Sequence, residues 1–198
     1  MTKLFFSMVL AMTFAISAQA GNPVKDIVYK VKADQSVIAW TGTKVTGKHS
    51  GTVGIKDGSL KLKDGVLIGG NFTMDMKSIE VTDLQGEGKT KLEGHLMNED
   101  FFGVEAYPTA TLVVKKAVSI GKGQYDVTGD LTIKGITQPV NFTTTVNQTG
   151  KVVTAKADIK IDRSLFDIKY GSGKFFENLG DKTIYDEFDL SVTLVAAE

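Results

Sequence analysis

The chain has 198 residues, with 23 Lys plus Arg balanced by 23 Asp plus Glu. That balance gives no overall electrostatic pull toward nucleic acid or an anionic membrane. There is no Cys, which excludes disulfides, zinc–thiolate sites and thiol nucleophiles.

The first twenty residues read as a leader rather than as part of a fold. Lys3 supplies a positive start, Leu4 to Ile16 are apolar except for Ser7 and Thr13, and Ala18-Gln19-Ala20 gives a small-x-small cleavage pattern. A run of roughly 13 apolar positions is too short for a membrane span, which needs about 20. No Cys follows to be acylated, so no stable membrane anchor is expected. Residues 1–20 are therefore expected to be a cleavable signal peptide. Residues 21–198 are expected to form one domain, secreted or periplasmic, large enough for a sizeable core.

From residue 27 onward nearly every segment alternates apolar and polar positions, the period of half-buried strands. Ser36 to Thr41 puts Ile38 and Trp40 on one face. Asp57-Gly58 and Asp64-Gly65 both read as tight hairpin turns, with Leu60 and Leu62 between them. Phe72, Met74 and Met76 share a face, as do Ala110, Leu112 and Val114, and then Val127, Leu131 and Ile133. Val140, Phe142, Thr144 and Val146 alternate next, followed by Ile159 and Ile161, with Phe166 counted inward. Phe188, Leu190, Val192 and Leu194 close the series. Two segments break the alternation. Thr82-Asp83 reads as a helix start, with a short helix over Lys89 to Met97 that places Leu92 and Leu96 one turn apart. Lys169 to Lys182, rich in Gly, reads as a long loop near one mouth of a barrel.

The pattern predicts an all-β fold: about eight antiparallel strands that close into a barrel, with a short helix between strands. A barrel of that size is either filled by its side chains or able to hold one elongated ligand, and alternation alone does not choose. The large Phe and flexible Met at inward positions suit a cavity that adapts to an irregular apolar guest, and they suit an ordinary core equally.

Signals for other chemistry are weak. Gly86, Gly88, Lys89 and Thr90 end like a phosphate-binding loop, but its leading Gly position holds Asp83, whose carboxylate would repel phosphate. Neither histidine, His49 or His95, has a partner at a usual ligand spacing, so no metal site and no cofactor are expected. There is no Gly-x-Ser-x-Gly elbow. The acidic pairs Glu99-Asp100 and Asp186-Glu187 fit solvated strand ends better than an acid–base pair.

Several pieces occur in a specific order: Glu93-Gly94-His95-Leu96, Asp100-Phe101-Phe102, Tyr107-Pro108-Thr109, Gly129 to Thr137, Ile161 to Ile168 and Gly180 to Leu190. This order resembles the YceI-like family of bacterial lipid-binding (polyisoprenoid-binding) proteins, over residues 29 to 196. The resemblance implies a lipocalin-like eight-stranded barrel holding a long isoprenoid, quinone-like or fatty-acyl lipid. It implies that Ile38, Trp40, Phe72, Met74, Met76, Leu112, Phe142, Ile159, Ile161, Phe166, Phe188 and Leu190 contact the tail. His49, His95 and Arg163 become the polar candidates near the mouth, Arg163 equally suiting a structural role at a strand end. The leading reading is a non-enzymatic binding protein that sequesters or carries such a lipid. The alternatives are a filled barrel with an interaction or envelope-stress role, and an enzyme using His49 or His95 as general base. An exposed apolar mouth would also let two barrels pair as a homodimer.

Overall fold

The computed structural model describes residues 26–198. The expected leader at 1–20 and the expected first mature residue, Gly21, lie outside the described residues. In chain order the strands are β1 (Asp26–Val31), β2 (Val37–Lys44), β3 (Gly47–Lys63), β4 (Val66–Val81), β5 (Thr109–Gly121), β6 (Gln124–Ile133), β7 (Ile136–Thr149), β8 (Val152–Asp162) and β9 (Ile184–Ala197). One helix, α1 (Gly86–Met97), connects β4 to β5.

β1 and β2 occupy one position in the sheet. Both lie between β3 and β9, β1 against the end of β3 (Lys30 opposite Ser59) and β2 against its start (Ile38 opposite Val53). The turn Ala33–Gln35 separates them. Nine strands thus make eight staves, each beside its sequence neighbours, and β9 closes on β2 with Leu190 opposite Trp40. The result is the expected closed, eight-stranded antiparallel barrel with one short helix. Closure leaves strand edges unpaired chiefly where β7 and β8 part toward one end.

Of the two Asp-Gly pairs read as turns, only one turns. Asp64 and Gly65 both take positive φ, 50° and 77°, as a two-residue hairpin requires. Asp57-Gly58 instead lies inside β3, where the pairing slips between Ile55 and Asp57. A Cβ on Gly58 would sit 2.9 Å from the Phe72 ring. The glycine is there because an inward aromatic crosses it from β4, a tertiary demand that imitates a turn signal.

The up-and-down order sorts the connections by end. The tight hairpins at 64–65, 121–123 and 150–151 share one end with β1. That end is sealed: Tyr29, Leu62, Leu67, Val153 and Ala196 are 2% exposed or less, and Gln148 Nε2 donates to Tyr29 Oη at 2.8 Å. The two long connections, α1 with its following turn and residues 163–183, share the other end. β7 and β8 are paired only toward the sealed end, from Thr144 to Thr149. Nearer the mouth the short 3₁₀ turn Arg163–Phe166 lies against β7, with Gln138 Nε2 donating to the Leu165 carbonyl.

The helix begins at Gly86, with Gln85 before it and no side-chain cap. Asp83 does not cap it, because its carboxylate is already used. It accepts from the Ser50 backbone N–H at 3.1 Å and pairs with His49 Nδ1 at 2.9 Å. Leu96 anchors α1 in the barrel mouth, and Glu93 accepts from the Val81 N–H at 2.9 Å.

Candidate binding cavity

The barrel interior encloses a cavity of about 190 Å³. Ile38, Trp40, Phe72, Met74, Met76, Leu112, Phe142, Ile159, Ile161, Phe188 and Leu190 all line it, as strand alternation predicts. Apart from Arg163, Thr144 and the Trp40 and Tyr185 rings, every lining side chain is hydrocarbon or thioether. Thr144 is satisfied within the barrel wall, its hydroxyl donating to the Lys156 carbonyl at 2.9 Å. Trp40 Nε1 donates to the Thr52 carbonyl at 3.2 Å, so the ring presents its apolar body inward. The closed end of the cavity is therefore dry and apolar.

Phe166 is a correction. It is fully buried but does not line the cavity. β8 ends at Asp162 and the chain enters the 3₁₀ turn Arg163–Phe166, so strand alternation no longer governs where Phe166 points. It packs in the mouth-end core with Ile161 and Ile168. Sequence reasoning also missed wall residues that come from the connections. Leu96, Phe101 and Phe102 reach the cavity from α1 and the turn after it, and Ile184 and Tyr185 from the start of β9. Their only local signal was the apolar spacing of the helix and the adjacent Phe pair.

The three polar candidates have three different placements. Arg163 is 2% exposed and lines the mouth end of the cavity. Its guanidinium donates from Nε to the Tyr185 carbonyl (3.2 Å), from Nη1 to Ile168 (2.9 Å) and from Nη2 to Ile184 (3.0 Å). Asp186 Oδ1 lies 3.5 Å from Nη2, and the Phe101 ring lies 5.7 Å from the guanidinium carbon. Burial draws the guanidinium below its ordinary pKa, opposed by the charges of Asp186 and Asp162. A guanidinium does not deprotonate in proteins, so it stays charged. Beside it, Asp162 accepts from Lys174 Nζ at 2.7 Å and from Ser164. Burial pushes the Asp162 carboxyl up, but Lys174 and Ser164 together hold it below its usual range.

His95 stands behind the wall. Its ring packs edge-on to Tyr170 at 4.3 Å and to Phe101 at 5.7 Å, and it is not among the cavity-lining residues. Its Nε2 is buried with no hydrogen-bond partner among the described residues. His49 lies outside the cavity on the β2–β3 hairpin, paired to Asp83. Of the three, only Arg163 touches the cavity.

A closed antiparallel barrel with one sealed end, an apolar interior and a single buried cation at its open end has the architecture of a lipocalin-like barrel. The YceI-like domain profile matches residues 29–196, and the chain belongs to that family. Among curated relatives, UPF0312 proteins of Pseudomonas putida strains W619 and GB-1 are each 38% identical over 90 residues. The matched region is 41% of this chain, and the chain spans about half the length of these relatives (47%). Among solved structures, Burkholderia cenocepacia BcnA superposes with a TM-score of 0.69 at 25% identity, over 84% of this chain and 99% of that one. A polyisoprenoid binding domain from Saccharophagus degradans, implicated in plant cell wall breakdown, gives 0.63 at 13%, over 85% and 97%. The Campylobacter jejuni YCEI protein gives 0.56 at 19%, over 96% and 93%. The last two likenesses concern the fold.

Proposed function

We propose that the protein is a non-enzymatic carrier or sequestering protein for a long-chain amphiphilic lipid. The chain of the lipid lies in the barrel and its head group lies at the Arg163 end. The observation that carries this reading is the interior itself: an apolar cavity of about 190 Å³, sealed at one end, with one cationic side chain at the other. It exceeds the ~150 Å³ apolar cavities that stay dry and take up benzene. It falls short of the ~300–1,000 Å³ of pockets that enclose a drug-sized ligand. A long chain would therefore enter by displacing flexible lining side chains, Met74 and Met76 foremost, whose three rotatable bonds adapt at low cost. Each buried CH₂ contributes roughly 0.8 kcal/mol, so chain length sets affinity.

The head group would be one that accepts hydrogen bonds, because Arg163 has only N–H groups to offer. A quinone or phenol oxygen and a carboxylate both meet that condition. Secretion to the periplasm is the expectation raised by the leader pattern at residues 1–20, and it fits a carrier working between membranes. The polyisoprenoid-binding neighbour of the same fold points to the isoprenoid class. A general-base role for His49 or His95 has less support, since neither lines the cavity: one is paired to Asp83 at the rim and the other packs against Phe101 and Tyr170.

The test is native mass spectrometry of protein purified without detergent from its own host, followed by organic extraction. A discrete added mass that extracts as an isoprenoid, quinone or acyl lipid establishes the carrier and names its cargo. A bare mass that stays unshifted after incubation with such lipids leaves a barrel with a fold-level likeness only.

A further inference from the structure

Exposed aromatic side chains are unevenly distributed over this barrel. Among the described residues, all five exposed aromatic rings (Tyr107, Tyr170, Phe175, Phe176 and Tyr185) sit at the mouth end, and four belong to residues 163–185. Phe175, Phe176 and Tyr185 are 45%, 49% and 51% exposed. The exposed Val45, at the tip of the β2–β3 hairpin, joins them, because its N–H donates to the Thr183 carbonyl at 3.1 Å. Tyr185 is exposed and also lines the cavity, so the patch is continuous with the interior.

The charges of this segment are largely spent on one another. Lys174 pairs with Asp162 at 2.7 Å, Lys169 with Asp167 at 2.5 Å, and Arg163 faces Asp186 at 3.5 Å. Lys169 Nζ also lies over the Phe175 ring at 5.4 Å. What remains on the loop, the hairpin and the turn around Tyr107, namely Lys44, Lys48, Lys134 and Lys182 against Glu99, Asp100, Glu105, Glu177 and Asp181, is nearly balanced. An aromatic surface of near-zero net charge matches the uncharged face of a zwitterionic bilayer rather than an acidic or basic partner.

We infer that this aromatic mouth is a docking surface for a neutral lipid bilayer, and that cargo passes between bilayer and barrel through it. The inference rests on the carrier reading above and gives that carrier its donor and acceptor. Apolar chains reside in bilayers, and a barrel sealed at its far end exchanges them at this end. Binding to such a surface scales with the apolar area buried, with little contribution from charge.

The test uses single tryptophans as depth probes on cargo-free phosphatidylcholine vesicles with brominated acyl chains. Phe176→Trp reports on the mouth, Ile120→Trp on the sealed end, and the parent chain supplies the Trp40 background. All are expressed with the natural leader and recovered in the form the host makes. Docking predicts bromine quenching at position 176 and none at 120, unchanged between roughly 0.05 and 0.5 M salt. It also predicts that Phe175→Ser with Phe176→Ser lowers vesicle binding about tenfold or more. Equal quenching at both positions, or none at 176, overturns the inference. So does a dimer in solution that this double variant converts to monomer, since the face would then join two copies. Farnesol binding without vesicles, read by native mass spectrometry, separates the two readings. Farnesol bound with no quenching at 176 removes docking alone. Quenching with no binding of farnesol, a prenyl quinone or a fatty acid keeps the docking surface and removes the carrier.

Discussion

The Arg163 guanidinium donates to the Ile184 carbonyl at 3.0 Å across a chain separation of 21 residues, and so fastens the start of β9 to the end of β8. With its bonds to Ile168 and Tyr185 it closes both ends of the long mouth loop. Arg163→Met keeps most of the volume and removes every donor, leaving three carbonyls unpaired and Asp186 with only Lys174, at 3.9 Å. A buried group left unsatisfied costs about 1–3 kcal/mol. The expected loss is about 3–5 kcal/mol, read by urea unfolding, because three carbonyls lose their donor together. Limited trypsin cleavage should move to Lys169, Lys174 and Lys182 in the folded variant.

Gly51 and Gly42 make a contrasting pair. A Cβ on Gly51 would meet the Glu80 carbonyl oxygen at 1.8 Å and Trp40 Cζ2 at 2.5 Å, whereas nothing lies within 4 Å of one on Gly42. The Glu80 contact is backbone and cannot swing aside. Gly51→Ala should therefore cost about 1–3 kcal/mol or more in denaturant unfolding. Gly42→Ala should stay within about 0.5 kcal/mol.

Cavity wall and sealed core should respond differently to substitution. Met74→Trp or Phe142→Trp fills the cavity, and should displace retained lipid with less than about 1 kcal/mol of destabilisation. Leu62→Ala, in the sealed end and off the cavity, should cost about 2–5 kcal/mol and leave lipid content unchanged. Unfolding curves and extracted lipid, measured on the same samples, check both. Loss of stability with lipid retained at position 74 would make that position ordinary core.

Acid should loosen the mouth end before the sealed end. Asp162 and Asp83 both have carboxyl pKa values below their ordinary ones, burial opposing and their hydrogen-bond partners prevailing. A depressed carboxylate stabilises the fold at pH values above its unfolded pKa, about 3.9, and that contribution fades as pH falls through the folded value. Amide hydrogen exchange followed from pH 6 down toward about pH 3 should show residues 163–175 and 48–52 losing protection first. Asp162→Asn should flatten that dependence around 163–175.

His49→Ala should leave lipid retention unchanged, because His49 is held by Asp83 at 2.9 Å at the barrel rim and does not line the cavity. Its effect should be confined to the hairpin, at the scale of an exposed ion pair, about 0–1 kcal/mol. Equal lipid content in wild type and variant by extraction checks this.

The inward residues could be read from the chain because a strand alternates faces with period two. Once Phe72, Met74 and Met76, or Phe142 and Leu190, lay in strands of a closed sheet, their side chains had only one interior to enter. Phe166 escaped that logic because it lies four residues past the end of β8, and Phe101 and Phe102 because they follow a helix. Asp57-Gly58 mimicked a turn because glycine serves close approach as well as positive φ. Alternation does not report how strands of unequal length close, or what the connections do at the ends. Only the tertiary structure decided that β1 and β2 share a stave, that both long connections meet at one mouth, and that Arg163 faces the cavity while His49 does not. It also decided that the interior is hollow, because a void is the difference between wall circumference and side-chain volume, and no single residue encodes that difference.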